Sequence, residues 1–274
     1  MEPKSAHARP RVLTSAALRT TFCAIVATGN EPGMKLLIVG DSHTGALEMG
    51  RAKREKAGEM PADVDLTVRP IGLGATLNTQ FWAARDDHAE ITDEECRKRM
   101  LRLPEDGEQF DAIGFSMQLW FGRALRGFVD SDLTFAELND GGQVVSDALF
   151  QRLVLADQRP ALDLAVFIRS LGTPVFVVDP PTVFSENRYL NRISSQRLLA
   201  FVARHRAVML AELARLDIPV VERPPKATDD AGFMRPEFAR NDPSDRHHGN
   251  QRFGVMMIRR ILEQAPMLVD PVSA

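Results

Sequence analysis

Short apolar runs and longer amphipathic stretches alternate along this chain. The apolar runs have the length and composition of buried strands, and they lie at Lys35–Val39, Leu66–Ile71, Ala112–Met117, Pro174–Val178 and Ile218–Val221. The stretches with helical periodicity are Gly45–Ala57, Thr92–Leu103, Ser146–Leu171, Arg192–Leu216 and Gln251–Gln264. Strands that alternate with helices predict a parallel sheet covered by helices on both faces.

Five such units predict a single doubly wound, flavodoxin-like α/β domain, a three-layer α/β/α arrangement with a five-stranded parallel sheet. Sites in these sheets lie at the carboxyl ends of the strands. Residues 119–142 follow the third predicted strand and carry Trp120 with several phenylalanines, so we expect a lid-like insertion there. The domain is expected to span residues 34–265, with residues 1–33 as a disordered extension and 266–274 as a tail.

Composition narrows the classes of function. The chain has 274 residues, of which 44% are hydrophobic and 26% charged, and its net charge is −3. A slightly acidic chain of ordinary globular composition has no general attraction to nucleic acid or anionic membranes. No apolar run approaches the roughly 18 residues that span a bilayer. We therefore expect no nucleic acid partner, no membrane span and a cytoplasmic location, and the oligomeric state stays open.

Three side chains able to do chemistry follow the first strand: Asp41, Ser42 and His43. The Ser42 hydroxyl has two possible roles, an N-cap of the next helix or a nucleophile favoured by the positive helix end. A nucleophile needs a base, and the polar loop before the last helix offers Asp245 and His248. A carboxylate at this spacing can orient one ring nitrogen of the histidine and leave the other free to accept a proton.

Taken together, the two segments resemble the SGNH, or GDSL-type, hydrolase family. Gly40-Asp41-Ser42-His43 is similar to its first block, and residues 245–250, Asp-Arg-His-His-Gly-Asn, followed by Gly254 are similar to its last. The resemblance implies that Ser42 is the nucleophile, His248 the general base and Asp245 the group that orients it. It implies cleavage or transfer of an acyl group from an ester through an acyl-enzyme. A small acyl group on a carbohydrate is one plausible substrate class, so the expected partner is a small-molecule ester or acylated carbohydrate.

The same resemblance implies an oxyanion hole formed by the serine's own N–H, a glycine after the second strand and an asparagine after the third. Gly72 and Gly74 both lie in the region of that glycine, and we favour Gly74. Gln118 stands where the asparagine is expected, and its amide can donate the same bond from one methylene further away. Asn78 is a substitute donor, and Trp120 is expected in the substrate pocket.

Other interpretations compete with this one. Asp41-x-His43 after a strand also resembles the first motif of calcineurin-like metallophosphoesterases, but the further motifs of that family are absent from the sequence. By composition, a metal site remains possible at Asp242, Asp245, His247 and His248; we nevertheless predict no metal. A binding module on the same fold, with catalysis weakened by the missing asparagine, is the alternative from another class.

Three further features are given structural interpretations. Ser116, in Gly-Phe-Ser-Met-Gln, nearly matches the G-x-S-x-G elbow of α/β-hydrolases and is expected to be a strand residue. The segment Gly72-Leu73-Gly74 lacks the third glycine of a dinucleotide-binding loop, so we predict no cofactor. His88 and His205 stand in charged helical contexts and are expected to face solvent.

Overall fold

A computed structural model describes residues 33–270 of the chain. Its strands are β1 (Met34–Gly40), β2 (Val64–Pro70), β3 (Trp82–Ala84), β4 (Ala89–Ile91), β5 (Arg102–Leu103), β6 (Ala112–Ser116), β7 (Leu133–Thr134), β8 (Gln143–Val144), β9 (Val175–Val178) and β10 (Val220–Val221). Its α-helices are α1 (Thr44–Lys56), α2 (Gly74–Leu77), α3 (Glu94–Arg97), α4 (Gly122–Asp130), α5 (Asp147–Ser170), α6 (Ser195–Arg215) and α7 (Gln251–Val269). The expected N-terminal extension, apart from residue 33, and the last four residues lie outside the described part.

Five strands form the main sheet in the order β10-β9-β6-β1-β2, and every neighbouring pair is parallel. Counted among these five strands alone, this is the order 2-1-3-4-5 read from the other edge, which is the flavodoxin-like arrangement. The predicted fold class is confirmed. None of the helices within residues 33–270 is both long and apolar enough to cross a membrane.

The central strand β1 shows how the two faces of the sheet are covered. Leu36 and Ile38 pack with α1 and α7 on one face, whereas Leu37 and Val39 pack with α5 and α6 on the other. All four side chains are buried. A strand covered on both faces is apolar throughout, which is why β1 appears in the sequence as a continuous apolar run.

Helices α1 and α7 approach each other closely through two glycines. A Cβ on Gly50 would lie 2.1 Å from the carbonyl carbon of Gly254, and a Cβ on Gly254 would lie 1.7 Å from the carbonyl oxygen of Ala46. No other residue type fits this contact without displacing backbone. The contact fixes the start of α1, next to Ser42, against the start of α7, next to His248.

The sequence prediction of a helix over Thr92–Leu103 is wrong. Only the single turn α3 is helical there, and β3, β4 and β5 form a small antiparallel sheet. Pro104 disfavours the helical conformation at Leu103, and Leu103 is instead buried in this sheet with Ile91. The last helix continues past the expected end at Gln264 to Val269.

Residues 119–142 contribute substantially to the hydrophobic core. The rings of Phe128 and Phe135 lie 5.2 Å apart, and Phe128 lies 4.9 Å from Phe201 of α6. Its role as a lid stays a prediction. His205, expected at the surface, is fully buried beside Phe121 and Phe201 because it lies on the inner face of α6, and burial lowers its pKa to about 3.

Candidate active site

The turn between β1 and α1 places Ser42 at the carboxyl edge of the sheet. Helix α1 begins at Thr44, and the position before it belongs to His43, whose side chain makes no capping bond. The Asp41 carboxylate instead accepts a bond of 2.9 Å from the His43 N–H, and Thr44 Oγ1 donates to the Asp41 carbonyl over 2.6 Å. These bonds hold the turn, and Ser42 is not the cap of this helix.

The loop before α7 is held by its own polar side chains. Asn250 caps the helix, since its Oδ1 accepts from the N–H groups of Arg252 and Phe253 over 2.8 and 3.2 Å. Its Nδ2 donates to the Glu237 and Ala239 carbonyls, each over 2.8 Å. The asparagine of the last sequence block therefore ties the loop to the preceding chain and starts the helix.

His248 lies within hydrogen-bond distance of both Ser42 and Asp245. The Nε2 atom of His248 is 2.7 Å from Ser42 Oγ, and its Nδ1 atom is 2.9 Å from each carboxylate oxygen of Asp245. The structure thus brings the three predicted site residues together. In this arrangement the histidine can accept the serine proton at one nitrogen while the carboxylate orients the other.

Asp245 is arranged to stay ionised. Burial alone would raise the pKa of its carboxyl, but hydrogen bonds from the backbone N–H and ring of His248 outweigh burial, so the pKa lies below its usual value. Arg240 adds an ion pair, with Nη1 at 3.3 Å from Asp245 Oδ2. A negative carboxylate next to Nδ1 favours a positive charge on the imidazole after proton transfer.

Asp41 and His43 are fully buried behind the serine turn. Burial raises the pKa of Asp41 to about 7, although the His43 N–H opposes this shift. Burial first, and then the charge of His248, holds the pKa of His43 well below its usual value. Within the described chain, Asp41 Oδ2 and both ring nitrogens of His43 have no hydrogen-bond partner.

Another part of the cleft lining is formed by the indole of Trp120, which lies between two glycines. Trp120 Nε1 lies 3.2 Å from the position of a Cβ on Gly74 and 2.8 Å from that of a Cβ on Gly122. The indole centroid is 4.2 Å from that of His43. Both glycines are needed because the indole occupies the space of their missing side chains.

Three N–H groups near Ser42 lack acceptors in the described part of the chain: those of Ser42 and Gly74 in the backbone, and Nε1 of Trp120. Gly74 is the first residue of α2, where backbone N–H groups have no intrahelical acceptor. Unpaired N–H groups at one edge of a cleft are available to a ligand oxygen. The preference for Gly74 over Gly72 agrees with its place in the cleft lining.

Two other expected donors are directed elsewhere, and here the sequence expectation is corrected. The amide nitrogen of Gln118 donates to the Ala161 carbonyl over 3.2 Å, and that of Asn78 donates to Asp157 Oδ2 over 2.5 Å. Both side chains are buried, and neither lines the cleft that contains Ser42. The extra methylene of Gln118 carries its amide toward α5.

Asp157 is a buried residue that supports the cleft from behind, through Arg123, and the sequence interpretation missed it. Its carboxylate accepts from Asn78 and, over 2.6 Å, from Nε of Arg123. The next residue, Gln158, donates to the Trp120 carbonyl over 2.8 Å. A polar pair stands here on the otherwise apolar face of α5, between Val154 and Ala161, and this break in the periodicity was the available signal.

Asp245, His247 and His248 also offer ligand atoms within 4.8 Å of one another. Both ring nitrogens of His248 are already hydrogen-bonded, one to Ser42 and one to Asp245. Asp41 and His43 do not join this group. The geometry therefore favours the proton relay as the role of His248.

The cleft around Ser42 has a volume of about 510 Å³. Trp120, Phe121 and Tyr189 provide apolar surface in its lining, and His247 and His248 lie at its edge. The imidazole of His247 is 3.9 Å from that of His248 and 5.7 Å from the Trp120 ring. Ser116 is a buried residue of β6, as expected.

Comparison with known proteins gives matches in structure but not in sequence. No family model and no curated protein sequence matches the chain. Solved structures similar to it include a GDSL-like lipase from Bacteroides thetaiotaomicron, with 11% identity, coverage of 84% of this chain and 88% of the other, and a TM-score of 0.45. A carbohydrate acetylesterase family member from Sinorhizobium meliloti has 14% identity, coverage of 86% and 99%, and a TM-score of 0.45.

An aryl esterase from M. smegmatis is similar at 14% identity, with coverage of 86% and 100% and a TM-score of 0.38. GDSL-type enzymes, the family that the two sequence blocks resemble, are thus among the proteins of known structure that this chain is similar to. The likeness is one of fold. At these identities and TM-scores, the activity of this chain has to be inferred from its own site.

Proposed function

We propose that this protein is a serine ester hydrolase that acts through an acyl-enzyme. The observation that carries the proposal is the continuous hydrogen-bonded path from Ser42 Oγ through His248 to Asp245, with distances of 2.7 and 2.9 Å. A serine hydroxyl gains nucleophilicity when a positioned imidazole can accept its proton. The free N–H groups near Ser42 meet the second requirement, stabilisation of an oxyanion.

In the first half-reaction, Ser42 Oγ attacks the ester carbonyl carbon while its proton moves to His248 Nε2. The carbonyl oxygen becomes an oxyanion, which accepts hydrogen bonds from the N–H groups of Ser42 and Gly74 and from the Trp120 indole. Collapse of this intermediate breaks the bond to the alcohol, which leaves with the proton from His248. Asp245 holds the Nδ1–H of His248 throughout and stabilises the imidazolium.

In the second half-reaction, water replaces the alcohol. His248 Nε2 takes a proton from water as it attacks the acyl carbon, and returns it to Ser42 Oγ when the acid leaves. An acceptor hydroxyl in place of water would make the same site an acyltransferase. Acetyl esters and acetylated sugars are the first substrates to test, because a small acyl group on a carbohydrate is one of the substrate classes that the sequence leaves open.

Labelling with a fluorophosphonate probe, measured by intact mass, tests the proposal. Wild type should gain one adduct, Ser42→Ala should gain none, and His248→Ala should react at least about 10³-fold more slowly because its serine lacks a base. Ser244→Ala is the matched control: Ser244 lines the same cleft, but its hydroxyl is bonded to Asp242 over 2.7 Å.

An adduct that persists in Ser42→Ala would contradict the assignment of the nucleophile. Folded wild-type protein that takes up no probe would contradict the hydrolase proposal altogether. That second result would favour the alternative of a binding module on this fold. Wild-type labelling combined with no turnover of any ester in the panel would favour acyl transfer, and added acceptor alcohols would then be tested.

A further inference from the structure

The cleft that contains Ser42 is strongly basic, although the chain as a whole carries a net charge of −3. Four arginines line it, namely Arg123, Arg126, Arg188 and Arg246, and no carboxylate does so within the described residues. Like charges that line one cleft repel, and counter-charges or an anionic ligand reduce that repulsion. The partners of each arginine therefore decide which of them is available to a ligand.

Two of the four arginines are already paired with acids beyond the lining. Arg123 donates to Asp157 over 2.6 Å, and Arg246 forms an ion pair with Glu186. Arg126 and Arg188 form no ion pair with any residue between 33 and 270, and both are exposed. These two guanidinium groups are the uncompensated charges of the cleft.

Arg126 and Arg188 also line a second, smaller depression of about 350 Å³ next to the cleft. Asp130 is the one acid in its described lining, and Arg192 already pairs with it over 2.6 Å. The two free arginines thus lie on the rim that the depressions share. An anion bound between Arg126 and Arg188 would border the cleft that contains Ser42. In the smaller depression it would meet no carboxylate that lacks a partner.

Arg188 is held in place by its neighbour and lies within electrostatic reach of the candidate active site. Its guanidinium carbon is 5.0 Å from the Tyr189 ring centroid, and its Nη2 donates to Tyr189 Oη over 3.2 Å. The pKa of His247 is lowered by burial first, and then by the charges of His248 and Arg188. Since the charge of Arg188 acts on His247, it would also act on a substrate bound at Ser42.

We propose that Arg126 and Arg188 form a subsite for an anionic group of the ester substrate, a carboxylate or a phosphate that lies away from the bond being cleaved. This inference rests on the proposed ester hydrolysis and names its substrate class. A guanidinium presents parallel N–H donors that match the oxygens of both anions. The aromatic surface of Phe121 and Tyr189 in the lining would contact the apolar part of the same molecule.

The test compares matched esters that differ in one charge. On the alcohol side, para-acetoxybenzoate and para-acetoxyphenyl phosphate are compared with neutral para-acetoxybenzamide. On the acyl side, para-nitrophenyl hemiglutarate is compared with para-nitrophenyl valerate. We expect a higher kcat/KM for the anionic ester on one side. The phosphate and carboxylate compounds report which anion is preferred.

The ratio of anionic to neutral kcat/KM should fall about fivefold in Arg126→Gln and in Arg188→Gln, and about 25-fold in the double variant, as expected for partly exposed charge pairs. Added salt should lower the same ratio. Arg192→Gln is the matched control, because Arg192 lies in the neighbouring depression and is paired with Asp130. Its ratio should equal that of wild type.

Anionic esters that are no better than their neutral partners on either side would overturn the inference, as would a preference that survives in the double variant. If no ester at all is turned over, the proposed function fails, and a binding measurement then decides the subsite separately. Calorimetry with the Ser42→Ala protein, which cannot form the acyl-enzyme, should show that the anionic esters of the panel on one side, alcohol or acyl, bind more tightly than their neutral partners. Equal binding of anionic and neutral esters on both sides, or binding of none, would overturn the subsite.

Discussion

Two parts of the candidate active site differ in how their geometry arises. We call Ser42, Asp245 and His248 the serine wall, and Gly74, Trp120 and Gly122 the indole wall. Each of the two segments of the serine wall is held by short-range bonds, such as those of Asp41 to the next turn and Asn250 to the start of α7, and the contact between α1 and α7 brings the two segments together. The indole wall depends on distant residues, because Gln158 of α5 holds the Trp120 backbone and both glycines leave space for the ring.

This difference has a functional consequence. The serine wall carries the groups that move a proton, whose roles follow from residue type and spacing. The indole wall carries two of the three groups proposed to stabilise charge, the Gly74 N–H and the Trp120 indole. A backbone N–H group and a tryptophan have no characteristic spacing in a sequence. A related chain could therefore keep the serine wall unchanged and still differ in rate through the indole wall.

Removing the indole N–H tests the indole wall, and it is expected to have the largest effect on kcat. Trp120→Phe keeps an aromatic ring beside His43 but deletes one proposed oxyanion donor. Loss of one such donor lowers kcat about 10²- to 10³-fold, with a much smaller change in KM because the bond strengthens only in the transition state. Steady-state kinetics on an acetyl ester measures both constants.

Trp82→Phe is the control, since the indole of Trp82 donates to the Pro160 carbonyl over 2.9 Å and lies outside the cleft lining. It should lose some stability and keep its kcat. A Trp120→Phe enzyme whose kcat stays within about threefold of wild type would show that the indole only fills space. Gln118→Leu should lower stability, because it removes a buried hydrogen bond to the Ala161 carbonyl, and should leave kcat unchanged.

Much of the serine wall was predictable from sequence, whereas little of the indole wall was. Ser42 and His248 were candidates because a strand end and a polar loop before a helix are visible in local patterns, and the resemblance to the SGNH family implied their roles. Gln118 was misassigned because a match by position says nothing of the direction of a longer side chain. The helix expected over Thr92–Leu103 failed for a related reason: strand pairing outweighed a local charge pattern.

Adding one methyl group between α1 and α7 tests the serine wall. A Cβ on Gly254 would lie 1.7 Å from the Ala46 carbonyl oxygen, so Gly254→Ala must separate the two helices. Overpacking of this kind lowers the free energy of unfolding by about 1–3 kcal/mol. A shift of His248 relative to Ser42 should also lower kcat/KM between about 10- and 100-fold. Urea unfolding and ester kinetics measure the two effects.

Gly127→Ala provides the matched control within α4. No atom lies within 4 Å of the position of its Cβ, so the alanine should stabilise the helix by about 0.5–1 kcal/mol and leave the distance between Ser42 and His248 unchanged. If Gly254→Ala proved as stable and as active as wild type, the close helix contact would not be what aligns the serine wall.

Asp41 lies where the two walls meet, and its titration is expected to have the smallest effect, which is on stability. Its carboxyl lies in the turn that carries Ser42, yet Oδ2 is 3.1 Å from the position of a Cβ on Gly74 in the indole wall. Burial raises its pKa to about 7, whereas an unfolded aspartate titrates near about pH 4. Between these values the folded protein holds a proton that the unfolded chain has lost. The stability from Asp41 is therefore full below about pH 4 and declines as the pH rises through 7.

Asp41→Asn keeps an oxygen for the His43 N–H but cannot titrate. The free energy of unfolding of wild type minus that of the variant should therefore fall between about pH 4 and pH 7 and then level off. The buried His43 and His205 titrate in both proteins, so their contributions largely cancel in this difference. Urea unfolding over this pH range measures it. A difference that is flat, or that rises with pH, would mean that Asp41 is ionised in the folded protein, with a negative charge at the junction of the two walls.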